Sequence, residues 1–253
     1  MNTLTKKVKD KLVKLESIEE RLNLLKDSFE GRKAVILAPG PSLNDYDLSP
    51  LYNREDLVIL SIKQAYDKVK GQTDFHIVNT YNFDKHNGYD YEHLDSIIFY
   101  GLSLSYVEDQ TKKLAIKPHP VDLWVPVVNP PTISYEESIH KSADFDKLLM
   151  LGKETQTWWG TSIMYEQAIP MALHIGCKDI TTIGWDLGTG AHSYSDDVVS
   201  FKVNSPEVQR THDSIQTTPQ LYDWLNTNGI ELRICSSTNP ADDRFKRIEP
   251  WQI

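Results

Sequence analysis

The chain has 253 residues, 40% of them hydrophobic, with six Trp, twelve Tyr and seven Phe. That is enough to bury a sizeable core in one large domain. Its formal net charge of -9 excludes generic nucleic-acid binding, which needs a basic face to neutralise phosphates. It does not exclude a small anionic ligand held by a local cation or by backbone N–H groups. No apolar run reaches the ~18 residues of a membrane span. The Lys-rich start lacks the apolar stretch of a secretory signal. A soluble, cytoplasmic chain is expected, with the inner face of the membrane as the place for any peripheral attachment. Cys177 and Cys235 belong to no CxxC pair, so neither a disulfide framework nor a zinc site is expected, and a reducing compartment fits.

In chain order, residues 3–30 read as one amphipathic helix: Leu4, Val8, Leu12, Leu15, Ile18, Leu22, Leu25 and Phe29 recur at spacings of three and four. Gly31 is its stop. Lys6, Lys7, Lys9, Lys11 and Lys14 make its first half basic, while Glu16, Glu19 and Glu20 are acidic further on. Three readings stay open: a homo-oligomer contact, a membrane-surface helix, or a helix docked on its own domain. Apolar runs at 33–38, 57–62, 75–79 and 96–100 predict strands separated by polar or helical stretches. That alternation implies a parallel sheet with helices on its faces. Residues 113–157 are interrupted by Pro118, Pro120, Pro126, Pro130 and Pro131, with a brief helix at 144–151. The segment reads as a lid-like insertion or an ordinary irregular one. Order returns with a helix at 161–175 that Pro170 interrupts, a strand at 179–185, a helix at 218–228 ended by Gly229, and a strand at 231–235. The tail from 242 is polar and expected to be peripheral. The whole is an α/β, Rossmann-like fold: a mostly parallel sheet with helices on both faces, an N-terminal helix over 1–31 and a single domain over 32–253.

Four places carry chemistry. The turn Pro39, Gly40, Pro41, Ser42 directly follows the first strand, where open parallel sheets bind ligands. A glycine there allows close backbone approach, and Ser42 carries a hydroxyl. The run matches neither GxGxxG nor GxxxxGK[ST], which disfavours a dinucleotide dehydrogenase or a P-loop ATPase. An ordinary strand-to-helix turn is the competing reading. Gly160, Thr161 and Ser162 open a predicted helix and offer N–H groups and hydroxyls to an anion, or serve as plain N-caps. Trp185 and Asp186 close the 179–185 strand; Trp185 either stacks on a ligand or is core, and Asp186 suits sugar hydroxyls or a metal. His212, read as preceding the last helix, is of the type that serves as a general base. No HxxxH or HExxH pattern occurs, so no His-based metal site is expected.

The run Val35-Ile36-Leu37-Ala38-Pro39-Gly40-Pro41-Ser42-Leu43 resembles the nucleotide turn of bacterial sialyltransferases of glycosyltransferase family 42 and of Maf-type glycosyltransferases. Gly160-Thr161-Ser162, followed by Gly176-Cys177-Lys178-Asp179-Ile180 through Gly184-Trp185-Asp186, is similar to their second signature. Laid ungapped on this chain, the family's general-base histidine falls on His212, its donor-contacting third-strand Asn on Asn79, and a phosphate-contacting tyrosine on Tyr194. The chain departs from the family in four places. Ala38-Pro39-Gly40 stands where Gly-Asn-Gly is usual, and Gly188 where a second tyrosine stands. Lys63 replaces a second-strand Asn, and Trp158-Trp159 an arginine. Lys63 would reach phosphate or a sugar carboxylate directly.

The resemblance implies a GT-A-like variant of the fold. It further implies an inverting transferase that moves an acidic sugar (sialic acid, Kdo or a related ulosonic acid) from a CMP-activated donor to a glycan acceptor. The CMP-sugar is a co-substrate, and the chemistry needs no metal. His212 would deprotonate the acceptor, and Tyr194 with Thr161-Ser162 would stabilise the departing phosphate. Two alternatives stand beside it: a diphosphokinase of the hydroxymethylpterin type using ATP and Mg²⁺, and a non-catalytic nucleotide-sugar-binding protein.

Overall fold

The centre of the fold is the five-residue strand β1, Lys33–Leu37, which has a neighbour on each side. In the computed structural model, which describes residues 2–69, 72–79, 96–103, 123–127, 145–149, 151, 163–188, 206–236 and 239–253, eight strands form one sheet. They are β1, β2 (Leu57–Ile62), β3 (Phe75–Asn79), β4 (Ile97–Ser103), β5 (Leu123–Val127), β6 (Asp179–Ile183), β7 (Glu231–Cys235) and β8 (Lys246–Arg247). Their order is β5-β4-β3-β2-β1-β6-β7-β8. Every pairing is parallel. The chain is an α/β protein of Rossmann-like architecture.

Parallel strands buried on both faces read as continuous apolar runs, and LVILSI of β2 is buried at every position. Alternate residues serve opposite faces. Ala34 and Ile36 join a core covered by α1 (Thr3–Leu12), α2 (Ile18–Leu25), α3 (Phe145–Leu148), α4 (Ile169–His174) and α5 (Pro206–Thr227). Val35 and Leu37 join a second core under short 3-10 turns and the C-terminal tail. That tail is not peripheral: Phe245, Ile248 and Ile253 are buried, and Arg54 Nη1 donates to the Ile253 carbonyl at 3.1 Å.

The 3–30 segment is two helices, not one. Ser17 caps α2 in a reciprocal box with Glu20, and the Arg21 guanidinium holds the Leu15 carbonyl. This ends α1 and reverses the chain. Both helices dock on the domain: Val8, Leu12, Leu25 and Phe29 are buried in the main core. Buried Asp74 anchors the start of α1, accepting from Asn2 N at 2.9 Å, Thr5 Oγ1 at 2.6 Å and, on its other oxygen, Ile59 N at 2.9 Å. Burial nevertheless raises its carboxyl above the usual range.

Other expectations shift too. Strand β5 lies inside the proline-rich segment; as an edge strand it pairs on one side only and so tolerates Pro126. The remainder of the lid-like segment, apart from α3, Leu149 and Leu151, lies outside the described residues. Strand β6 stops at Ile183 because Gly184 turns to φ 74°. The helix before it runs from Ile163 with a π turn at Met164–Ala168. Pro170 cannot donate to the carbonyl four residues back, and the wider turn absorbs that break. Helix α5 starts twelve residues earlier than predicted, at Pro206, and carries Pro219 in its interior. The Thr218 hydroxyl donates at 2.7 Å to the Ile215 carbonyl, the group that Pro219 cannot reach. Both cysteines are free and buried, and burial pushes each thiol up to about 12, which keeps them unreactive.

Candidate functional site

Strands β2 to β5 extend from one side of β1 and β6 to β8 from the other. The switch point is therefore the crevice beyond the C-terminal ends of β1 and β6, the place where open α/β sheets bind ligands. Two of the predicted groups fall there, and two further residues stand at the ends of neighbouring strands. Pro39 to Ser42 follow β1, Trp185 and Asp186 follow β6, Lys63 follows β2, and Asn79 is the last residue of β3. Gly160, Thr161, Ser162 and Tyr194 lie outside the described residues.

The turn after β1 is closed by its own chain. Ala38 N donates to Ile183 O at 2.8 Å and Gly40 N to Gly184 O at 2.9 Å, so the pairing of β1 with β6 continues past the strands. Ser42 N donates to Asp186 Oδ2 at 2.8 Å, and the Ser42 hydroxyl to Asp186 Oδ1. Asp186 thereby caps the 3-10 helix Pro41–Asp45 from across the crevice. Pro39 and Pro41 have no N–H. Every N–H from 38 to 42 is committed internally, so the expected anion site already holds an anion, the Asp186 carboxylate. Gly40 is needed for room at Gly184 and Asp186 rather than for a ligand's approach.

Trp185 is core and not a stacking surface: it is buried, meets Tyr165 edge-on at 6.1 Å, and its carbonyl accepts from Asn239 Nδ2. His212 sits within α5, in its second turn, instead of preceding the helix. Helix α5 descends to the start of β7, and His212 stands roughly 22 Å above its last residue, against about 17 Å for a five-residue strand. It is thus at the site end of the sheet. Its side chain is exposed, while Ser214, Thr217, Thr218, Leu221 and Leu225 form the buried stripe. The described residues do not bring His212 to the Ser42–Asp186 pair.

Sequence reasoning missed the strain at this edge. Lys63 and Leu187 both have φ 49°, just beyond β2 and β6, the two neighbours of β1. Asp27 and Asn53 share that region, but Asx side chains tolerate it and Lys and Leu do not. Such strain persists where surrounding structure imposes it, and it clusters at ligand sites. It has no sequence signal.

His76 was also passed over. It is fully buried, stacks on Tyr66 at 4.6 Å, and its Nε2 lies 2.9 Å from the Lys63 carbonyl. Burial pushes its imidazole down to about 4, so the ring is neutral and Nε2–H donates. It ties β3 to the strained Lys63. The unfolded chain takes up a proton near pH 6.5 and the folded chain resists until about pH 4. The stability from His76 is complete above pH 6.5 and drains away as pH falls towards 4. Between about pH 7 and pH 5 the loss is on the order of 2 kcal/mol. In urea unfolding at both pH values, His76→Gln is expected to show a smaller difference than the wild type. An equal difference would show that this ring is not what senses acid.

A hollow of about 260 Å³ lined by Tyr222, Leu225, Gly229, Ile230 and Phe245 lies where β7 begins, at the opposite edge. None of the predicted site residues lines it.

Neither a scan against protein-family models nor a search of curated proteins gives a match. Among the described residues no group of three or more His, Cys, Asp or Glu is placed to hold a metal ion, and no helix is long and apolar enough to cross a membrane.

Proposed function

We propose that the chain is a glycosyltransferase that uses a CMP-activated acidic sugar. The observation that supports this most is the crevice itself. The Gly40–Gly184 and Ser42–Asp186 contacts knit the two central loops together at the switch point, and the strained Lys63 lies on the next strand end. A cationic side chain beside a rigid, carboxylate-capped turn suits a ligand with both phosphate and hydroxyl groups. In this reading Lys63 meets the phosphate or sugar carboxylate, and Asn79 orients the nucleotide. Pro39 to Ser42 with Asp186 form the floor. Tyr194 and Thr161-Ser162 stabilise the departing phosphate, and His212 takes the acceptor proton. The acceptor is a glycan hydroxyl, and inversion follows from a single displacement.

A thermal-shift panel of CMP, CDP, UDP, GDP and ATP with Mg²⁺ tests the reading. CMP held at about 100 times its dissociation constant should stabilise the fold by about 2.7 kcal/mol. A response confined to ATP with Mg²⁺ would move the assignment to a diphosphokinase. Silence towards every cytidine nucleotide would end it.

A further inference from the structure

The α1–α2 hairpin starts and finishes at the N-terminal edge of the sheet. Asn2 Nδ2 donates to the carbonyl of Leu57, where β2 begins, and Phe29 N to that of Ile175, four residues before β6. Leu12 and Leu25, at the last turns of the two helices, are fully buried in the main core. The connection 13–17 is therefore the end of the hairpin remote from that edge. Val13 opens it and Ile18 follows it as the first residue of α2; exposed at 43% and 38%, they are two of the three large hydrophobic residues exposed among the described residues.

The outer face of α1 differs from the rest of the protein. From Asn2 to Leu15 there are five lysines and a single acid, Asp10, in a chain of net charge -9. Lys7, Lys11 and Lys14 stand at i, i+4 and i+7, one row on the helix surface, and they and Lys6 are exposed. No ion pair ties Lys6, Lys11 or Lys14 among the described residues. The apolar side that a coiled coil would have used is spent on the domain's own core. What remains outward on α1 is a basic row, and the two apolar side chains at its end stand beside the exposed Glu16 and Glu19.

We propose that this face docks on an anionic lipid surface, with the lysines over the headgroups and Val13 and Ile18 inserted at the boundary. Charge complementarity selects the partner class, and the apolar pair at the row's end selects a bilayer over a nucleic acid, whose phosphates offer nothing to Val or Ile. The proposal is independent of the nucleotide-sugar reading.

Co-sedimentation of the full chain with vesicles of equal parts phosphatidylglycerol and phosphatidylcholine tests it, with pure phosphatidylcholine as reference and an oligonucleotide shift at the same ionic strength. Binding is expected to the anionic vesicles alone and to weaken with salt. Each lysine near such a surface is worth roughly fivefold in partitioning, so the K7E/K11E/K14E variant should lose about 100-fold or more. V13D/I18D should lose about tenfold while the lysines remain. These positions are exposed, and circular dichroism and the thermal midpoint should match the wild type in both variants. Failure to sediment with anionic vesicles at low salt overturns the proposal, as does equal binding to neutral ones, binding untouched by the lysine changes, or a shifted oligonucleotide without vesicle binding.

Discussion

Gly40→Ala is expected to destabilise the fold by about 3 kcal/mol. Gly40 has φ -71° and ψ 158°, values open to any residue, so conformational freedom is not the issue. A methyl group built there would press on the Gly184 carbonyl oxygen and come within 2.5 Å of Asp186 Oδ2. The carboxylate is a side chain and can yield. The Gly184 oxygen is backbone, already accepting from Gly40 N, and at φ 74° Gly184 sits in turn against the Ala38 carbonyl. Relief requires the two central loops to part, which also undoes the Ser42–Asp186 cap. A loss of this size in a chain of this length lowers the thermal midpoint by roughly 6–12 °C. Ser42→Ala removes only the hydroxyl's bond and should cost about 1–2 kcal/mol. If Gly40→Ala unfolds in urea within about 0.5 kcal/mol of the wild type, the interlock does not carry the crevice.

The second large effect concerns turnover. Under the glycosyltransferase reading, His212→Ala is expected to lower kcat by about 10²- to 10⁴-fold, the usual range for a general base, and to leave nucleotide binding intact. The residue is exposed, on the side of α5 away from its buried stripe, and alanine is the better helix former. Stability should therefore hold or rise by a few tenths of a kcal/mol. That separates a chemical role from a structural one, since a fall in kcat cannot be blamed on the fold. Release of CMP at the wild-type rate would show that His212 is an ordinary solvated helix residue. Either rate leaves the CMP binding measurement to stand separately.

Legibility in the sequence followed the chemistry of burial. β1 and β2 could be read because strands buried on both faces are near-continuous apolar runs, and β6 and β7 from the apolar residues between their polar ones. The switch-point location of Pro39 to Ser42 and Asp186 followed from strand alternation alone. The first half of α5 could not be read, because its described buried residues there are Ser214, Thr217 and Thr218, and the two threonine hydroxyls are partnered within the helix. Apolar periodicity is blind to such a face. β5 hid behind its proline. The break between α1 and α2 was there to be read in Ser17 and Glu20, a capping box inside a longer apolar pattern, and the pattern prevailed. The commitment of Ser42 to Asp186, 144 positions away, depends on which loop faces which. That is a property of the fold and not of either motif.

The middle place of β1 also sets a timetable for the growing chain. Lys33 aligns with Leu57 on one side and with Asp179 on the other. The nearer partner leaves the ribosome soon after β1; the farther one follows roughly ten seconds later at ordinary rates of synthesis. Closing the longer loop costs about 1.5 kcal/mol more in chain entropy. Until β6 arrives, the strand that becomes the centre of the sheet is an open apolar edge, a template for neighbouring chains. Nascent chains stalled before residue 179 are therefore the form of this protein most in need of a chaperone.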